Sequence, residues 1–375
     1  MVAQRPDHSG SATERRPAGM PVVNLSDLAP EWNWLAGAAF ENPALHWRHC
    51  SSRSVRLPGW VPHPAGFARA IAAAQAVAAT RAPDSLLVSH GPWPTMYACL
   101  AMKMRGAHRQ HLAYAFTFTE LPRGAKHKVM ARMFASVDRF VSFCSIERAL
   151  YSSHFDLDPS RFDMHLWAAR PPEVADPGTP RVTGRYLCAL GTQGRDYRPL
   201  VEAMRKRPSR RLIIVAEPSS PGLEALPDNV EIRHGIPLGA AMNILLHSEF
   251  TVIPLRDGEV PCGHSTIVAA MHLGKAVACT GSAGVSEYLH PGDTGLLVAP
   301  GDPLGWMDAI DALSDDTTLR QRLGRHAQAF AAQNCGEAVA VDYLRRYLQS
   351  RVAASVGDLD STLKTVAGRP ATDRP

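Results

Sequence analysis

Short runs of β-branched and apolar residues alternate with longer helical patterns along almost the whole chain. "DSLLVSHG" reads as a strand ending at Ser89-His90-Gly91, "TMYACLAMKMRG" as a helix stopped by Gly106, and "HLAYAFTFTE" as the next strand. "GAKHKVMARMFASVD" follows as a basic helix, "RFVSFCS" as a strand and "SIERALYSSHF" as a helix with Ser145 as its cap. Parallel strands need a crossover of a dozen or more residues, usually a helix, so this alternation predicts α/β architecture with parallel sheets.

At 375 residues the chain exceeds one ordinary core. The stretch "ARPPEVADPGTPRVTG", 169–184, is rich in proline and glycine and reads as a linker. Beyond it a second series runs "RYLCALG", "YRPLVEAMRKR", "RRLIIVAE", "VEIRHGI", "LGAAMNILLHS", "EFTVIPL", a turn and helix, "KAVACTG", "GVSEYL" and "TGLLVAP", with two helices expected between Pro303 and Val352. The expected layout is a polar tail over 1–19, a Rossmann-like domain over 20–172, a second over 181–352 and a tail over 353–375. Ligands then sit at the carboxyl ends of the strands, each half facing the other.

Several classes are disfavoured. A net charge of +5, with no basic run interleaved with stacking aromatics, gives no nucleic-acid signature. Seven cysteines are spread singly, which favours reduced thiols in a cytoplasmic setting. The first nineteen residues lack an apolar core segment, and "AGFARAIAAAQAVAAT", with Arg69 and Gln75, is too short and polar to span a bilayer. "GTQGRD" has only two glycines, a weak dinucleotide fingerprint. "DLD", Asp156 to Asp158, follows a helix and precedes Pro159, so a turn and helix cap is expected there in place of a metal–diphosphate site. Neither HExxH nor GxSxG occurs, and no metal or cofactor is expected.

"VPCGHSTIVAAMHLGKAV" reads as a glycine turn feeding a helix. Free amides and the positive end of the helix dipole favour an anion at Gly263, His264, Ser265 and Thr266; an ordinary capped helix start is the other reading.

From "VIPLRDGEVPCGHSTIVAAMHLGKAVACTGSAGVSEYLHPGDTGLLVAPGD" the chain resembles the donor-binding half of retaining glycosyltransferases of family 4, also called group 1, whose GT-B fold is two facing Rossmann-like domains. Upstream, "RYLCALGTQGRDYRPLVEAM" is similar to the family's first strand and Gly turn, and "FVSFCSIERALYSSHFDLDPSRFDMHLW" to the closing part of its first domain. "VVNLSDLAPEWNWL" has no counterpart of the family's glycine-rich first turn.

The resemblance implies a metal-independent sugar transfer, with retention at the anomeric carbon, from a UDP- or GDP-linked donor to a saccharide or lipid-linked acceptor. Gly263 to Thr266 would cradle the diphosphate, with Gly191, Thr192 and Arg195 opposite. Two family glutamates fall on Pro261 and Ala269, leaving Glu259 as the carboxylate near the donor sugar. Thr119, Glu120 and His90 end first-domain strands where the fold places acceptor-side residues. A nucleotide-sugar epimerase, or a catalytically silent homologue in a glycan-assembly complex, are the rival readings.

From Lys103 to Arg139 eight Lys or Arg stand against Glu120 and Asp138. A solvated helix face is one reading; attraction to an anionic membrane or a lipid-diphosphate acceptor is the other, in a protein of the cytoplasm or the inner membrane face.

Overall fold

The computed structural model describes residues 20–28, 45–62, 64–80, 82 and 85–351. Two parallel six-stranded sheets account for the alternation. The first is built from β1 (Met20–Ser26), β2 (Leu45–Ser51), β3 (Leu86–His90), β4 (Gln110–Tyr114), β5 (Arg139–Ser142) and β6 (Phe162–Met164), in the order β2-β1-β3-β4-β5-β6. Its crossover helices α1 (Pro64–Ala79), α2 (Pro92–Met104), α3 (Gly124–Phe134) and α4 (Ser145–Phe155) share one core with Leu25, Leu87, Ala113 and Phe140.

The second sheet comprises β7 (Leu187–Leu190), β8 (Leu212–Val215), β9 (Val230–Arg233), β10 (Thr251–Ile253), β11 (Val277–Thr280) and β12 (Leu296–Val298), in the order β12-β11-β10-β7-β8-β9. The strand order reverses between β7 and β10. Loops leaving these two strands diverge to opposite faces and open a crevice at the carboxyl ends. The helices are α5 (Arg198–Arg205), α6 (Leu238–His247), α7 (His264–His272), α8 (Pro303–Asp315) and α9 (Thr317–Asn334). Ile267 and Ala331 pack on one face of the sheet, Leu200 and Ile310 on the other.

Three differences from the sequence expectations have physical causes. Ala115 takes φ +52 and ends β4 at Tyr114, so Phe116 and Phe118 turn into the core instead of continuing a strand. Among the described residues three helices, not two, run from Pro303 onward, and the third, over 337–351, leaves the second domain: Ala340, Val341, Leu344 and Tyr347 pack with Val22, Val88 and Val141 of the first sheet. The two crossings of the chain are adjacent, with Ala169 N donating to Cys335 O at 2.9 Å. Cys144 rather than Ser145 caps α4, its Sγ accepting from Glu147 N.

The proline-rich linker is fastened. The buried Asn243 amide of α6 donates to Ala175, Asp176 and Thr179 carbonyls and accepts from Arg181 N, satisfying a loop that would otherwise carry unpaired backbone groups. Asp156 and Asp158 form a left-handed helix end and a helix cap, as their spacing predicts. Among the described residues no helix is long and apolar enough to cross a membrane.

Candidate functional site

A cleft of 460 Å³ lies between the carboxyl ends of the two sheets. On the second-domain side, Gly191 ends β7 with φ +108, and a Cβ there would stand 2.7 Å from the Arg195 guanidinium. Only glycine lets Arg195 fold back under its own loop. Arg195 is 5% exposed. Its Nε donates to Leu190 O at 3.1 Å, Nη1 to Gln193 O at 3.1 Å and Nη2 to Thr266 Oγ1 at 2.8 Å. Thr192 Oγ1 accepts from Glu217 N at 3.0 Å, steadying the rim of the loop.

Thr266 belongs to α7, whose N-cap is Gly263 at φ +87 with no side-chain cap. A Cβ at Gly263 would lie 2.9 Å from Leu255, so glycine is again required. Thr266 N and Ile267 N donate to Gly263 O, while the first amides of the helix, of His264 and Ser265, have no intrahelical acceptor. An arginine fork and a helix N-terminus thus converge on one wall, a chemistry suited to phosphate oxygens.

The opposite wall comes from the first domain: Thr117, Phe118 and Thr119 after β4, Phe143 and Glu147 at the start of α4, and Trp167. Glu147 accepts from Phe143 N at 2.7 Å and from Tyr151 Oη at 3.0 Å, and Tyr151 Oη accepts from Phe118 N at 3.1 Å. Burial outweighs these bonds and raises the Glu147 carboxyl to about 7.

The walls are pinned to each other. Tyr288 Oη donates to Phe143 O and accepts from Trp167 N, both at 2.7 Å. Glu287 accepts from Ser145 N and Oγ at 2.9 and 2.8 Å. Arg256 donates to Glu120 at 3.1 Å and to Thr119 O at 2.7 Å. His264 stacks on Tyr288 with ring centroids 4.6 Å apart, and its Nε2 has no hydrogen-bond partner among the described residues. Burial lowers its imidazole to about 4, so it is neutral near pH 7.

Of the residues expected at the site, Gly191, Thr192, Arg195, Gly263, His264, Ser265, Thr266 and Thr119 line this cleft. Three do not. Glu259 is exposed on the loop between β10 and α7. Glu120 is turned outward to Arg256 with its side chain 75% exposed. His90 is inside the first domain, its ring 5.3 Å from Tyr114. Pro261 lines the cleft at a position where the resemblance has a glutamate.

Sequence reading missed Glu147, Phe118, Phe143, Trp167 and Tyr288. An acid in the first turn of a helix is ordinarily a capping residue, and only the fold turns this one toward a cleft.

Residues 195–316 match the model of the family described as glycosyl transferases group 1. No curated protein is significantly similar in sequence. Sucrose-phosphate synthase from Thermosynechococcus elongatus superposes with a TM-score of 0.65 at 16% identity, covering 89% of this chain and 100% of its own. The Anabaena protein HepE in complex with UDP and glucose gives 0.64 at 13% identity, over 88% and 100%. α,α-Trehalose 6-phosphate synthase from Burkholderia multivorans gives 0.62 at 13% identity, over 90% and 100%. With two facing parallel α/β domains and a last helix returned to the first, the chain has the GT-B fold.

Proposed function

We propose that this protein is a group 1 glycosyltransferase that moves a sugar from a UDP- or GDP-linked donor to a saccharide or lipid-linked acceptor in cell-surface polysaccharide assembly. The observation that carries the reading is the buried Arg195 bonded to Thr266 at the N-terminus of α7, inside a cleft between two Rossmann-like domains. The donor diphosphate lies between Gly191–Arg195 and Gly263–Thr266, where fixed positive charge stabilises the departing nucleotide without a metal. The acceptor enters against Thr119 and its neighbours on the first-domain wall, in the cytoplasm or at the inner membrane face. HepE, captured with UDP and glucose, supports the donor class. Retention at the anomeric carbon follows the family resemblance.

Titration calorimetry of UDP and GDP in the presence of a chelator tests the reading: binding is expected, and binding that requires added magnesium or manganese would overturn it. Pro261 in place of a donor-side glutamate favours one second reading, a nucleotide-sugar binder without turnover. Nucleotide binding with no donor consumption across acceptor panels would select it.

A further inference from the structure

The first domain presents a surface that the cleft does not use. Helix α2 lies between α1 and α3: its Trp93 ring is flanked by the Arg69 guanidinium of α1 at 5.7 Å and the Lys126 ammonium of α3 at 4.4 Å. Inward, this layer packs through Ala72, Ala76, Ala98, Met102 and Met130. Outward, Phe67 and Ile71 of α1, Leu100 and Met104 of α2, and Val129 of α3 are exposed. Each pair is spaced i,i+4 and so lies one turn apart on one helix face. Met104 is 73% exposed, and Trp60, in the turn leading to α1, is 82% exposed. These side chains are surplus to the core.

Charge on the same layer has one sign. Helices α1, α2 and α3 hold Arg69, Lys103, Lys126, Lys128 and Arg132 and no Asp or Glu, although the whole chain carries only +5. Among the described residues, Glu120 is engaged by Arg256 of the second domain, and Arg69 is paired with Asp27. Lys103, Lys128 and Arg132 stand exposed beside Met104 and Val129, with no carboxylate at ion-pair distance among the described residues. A face that merely solvates its helices interleaves acids with its cations and exposes few large apolar groups. Exposed apolar groups among unpaired cations instead match an anionic bilayer surface, where aliphatic and aromatic groups enter the headgroup boundary and cations meet lipid phosphates.

We propose that the α1–α2–α3 face docks on an anionic membrane surface, with Phe67, Ile71, Leu100 and Met104 entering the headgroup boundary and Lys103, Lys128 and Arg132 meeting phosphates. Helices α2 and α3 begin at the carboxyl ends of β3 and β4, the end of the sheet the cleft faces. The face runs the length of these helices, with Phe67 near the start of α1 and Lys103, Met104 and Arg132 in the last turns of α2 and α3, so a docked protein has its cleft at one edge of the contact. A lipid-linked acceptor reaches the cleft from that edge. That last step rests on the glycosyltransferase reading; the docking itself does not.

Flotation of the full chain with vesicles of phosphatidylcholine alone, or with about 30% phosphatidylglycerol, tests it. Binding is expected to anionic vesicles and to fall at least tenfold as salt rises from about 0.05 to about 0.5 M. The pair Lys103→Glu with Lys128→Glu should lose at least tenfold in partitioning, on the order of what two membrane-facing cations contribute. Phe67→Ser with Met104→Ser should weaken binding at every salt concentration while leaving its salt dependence. All four positions are exposed, and circular dichroism verifies the fold; Lys128→Glu alone serves if a double variant does not fold. Nucleotide calorimetry on the same variants reports on the cleft separately and should be unchanged. No binding, or equal binding to both vesicle types, overturns the proposal. So does self-association abolished by Phe67→Ser with Met104→Ser, which would assign the face to a second copy of the chain.

Discussion

Arg195 Nη2 donates to Thr266 Oγ1 across 2.8 Å, tying the loop after β7 to the first turn of α7 over 71 residues of sequence. A guanidinium carries five N–H donors. Three are engaged by Leu190 O, Gln193 O and Thr266 Oγ1, so one on each terminal nitrogen is left for an incoming anion. The protein has oriented the cation before any ligand arrives, which is the condition under which such a charge acts on a transition state without reorganisation cost.

Arg195→Ala is accordingly expected to lose on the order of 2–4 kcal/mol of transition-state stabilisation, read from kcat/KM. Arg195→Lys should recover only part of this, because an ammonium keeps the charge and loses the planar fork. Both variants should still unfold cooperatively. Near-normal turnover in folded Arg195→Ala would remove the residue from the mechanism.

Ser265 and Thr266 offer a second test. Neither hydroxyl caps α7, whose N-cap is Gly263 without a side-chain bond. The combined change Ser265→Ala with Thr266→Ala should therefore remove no cap and cost only the Thr266 bond to Arg195, about 1–3 kcal/mol of stability, yet weaken nucleotide binding at least tenfold, about 1.4 kcal/mol by calorimetry. Unchanged affinity would reduce the turn to a plain helix start.

The donor wall was legible in the sequence because its parts are local: Gly191 four residues before Arg195, and Gly263 next to the helix it opens. Glycine at a strand end or helix start marks a backbone need that can be read in one dimension. The acceptor wall was not legible. The loop Thr117–Thr119 reaches the cleft, with Phe118 at the edge of the core, because Ala115 breaks β4 with a positive φ, and Trp167 faces it where two chain crossings meet. The C-terminal helix was misplaced for a related reason: its amphipathic pattern specifies a buried face and is silent about which domain covers it. Glu120 lies on the loop beyond the end of β4 and not at a strand end, and a cation from the other domain draws it outward.

Stability should respond to pH through two buried groups of opposite sign. Glu147 is raised by burial from 4.5 to about 7, with Tyr151, Cys144 and Glu287 among its neighbours. Its contribution is fully present below pH 4.5 and is lost as pH rises through about 7. His264 is lowered by burial from 6.5 to about 4, so its contribution is present above pH 6.5 and is lost as pH falls through about 4. Between these limits the two slopes oppose each other. Glu147→Gln should gain stability relative to the wild type between pH 5 and pH 8, on the order of 3 kcal/mol. His264→Gln should gain on acidification below about pH 6.5. Denaturant unfolding across pH measures both differences, and a pH-independent difference for Glu147→Gln would show that its carboxyl titrates normally.

Tyr288 makes the apposition of the two domains testable. Its hydroxyl is a second-domain group, yet both of its partners, Phe143 O and Trp167 N at 2.7 Å, belong to the first-domain wall. Tyr288→Phe keeps the ring and its stacking on His264 but leaves a carbonyl and an amide at the seam unpaired, at a cost of about 1–3 kcal/mol. Ser145→Ala, at the more exposed bond to Glu287, leaves acceptors that water can reach and should cost less. Because nucleotide contacts are placed on the second domain alone, Tyr288→Phe should bind UDP or GDP almost as the wild type does. Turnover should fall further than affinity, since transfer needs the acceptor wall held against the donor. Calorimetric melting gives the stability change, and paired measurements of nucleotide affinity and kcat separate the two effects. A variant that keeps full stability and full kcat would show that the walls are aligned by the remaining contacts, and Tyr288 would then be an ordinary core tyrosine.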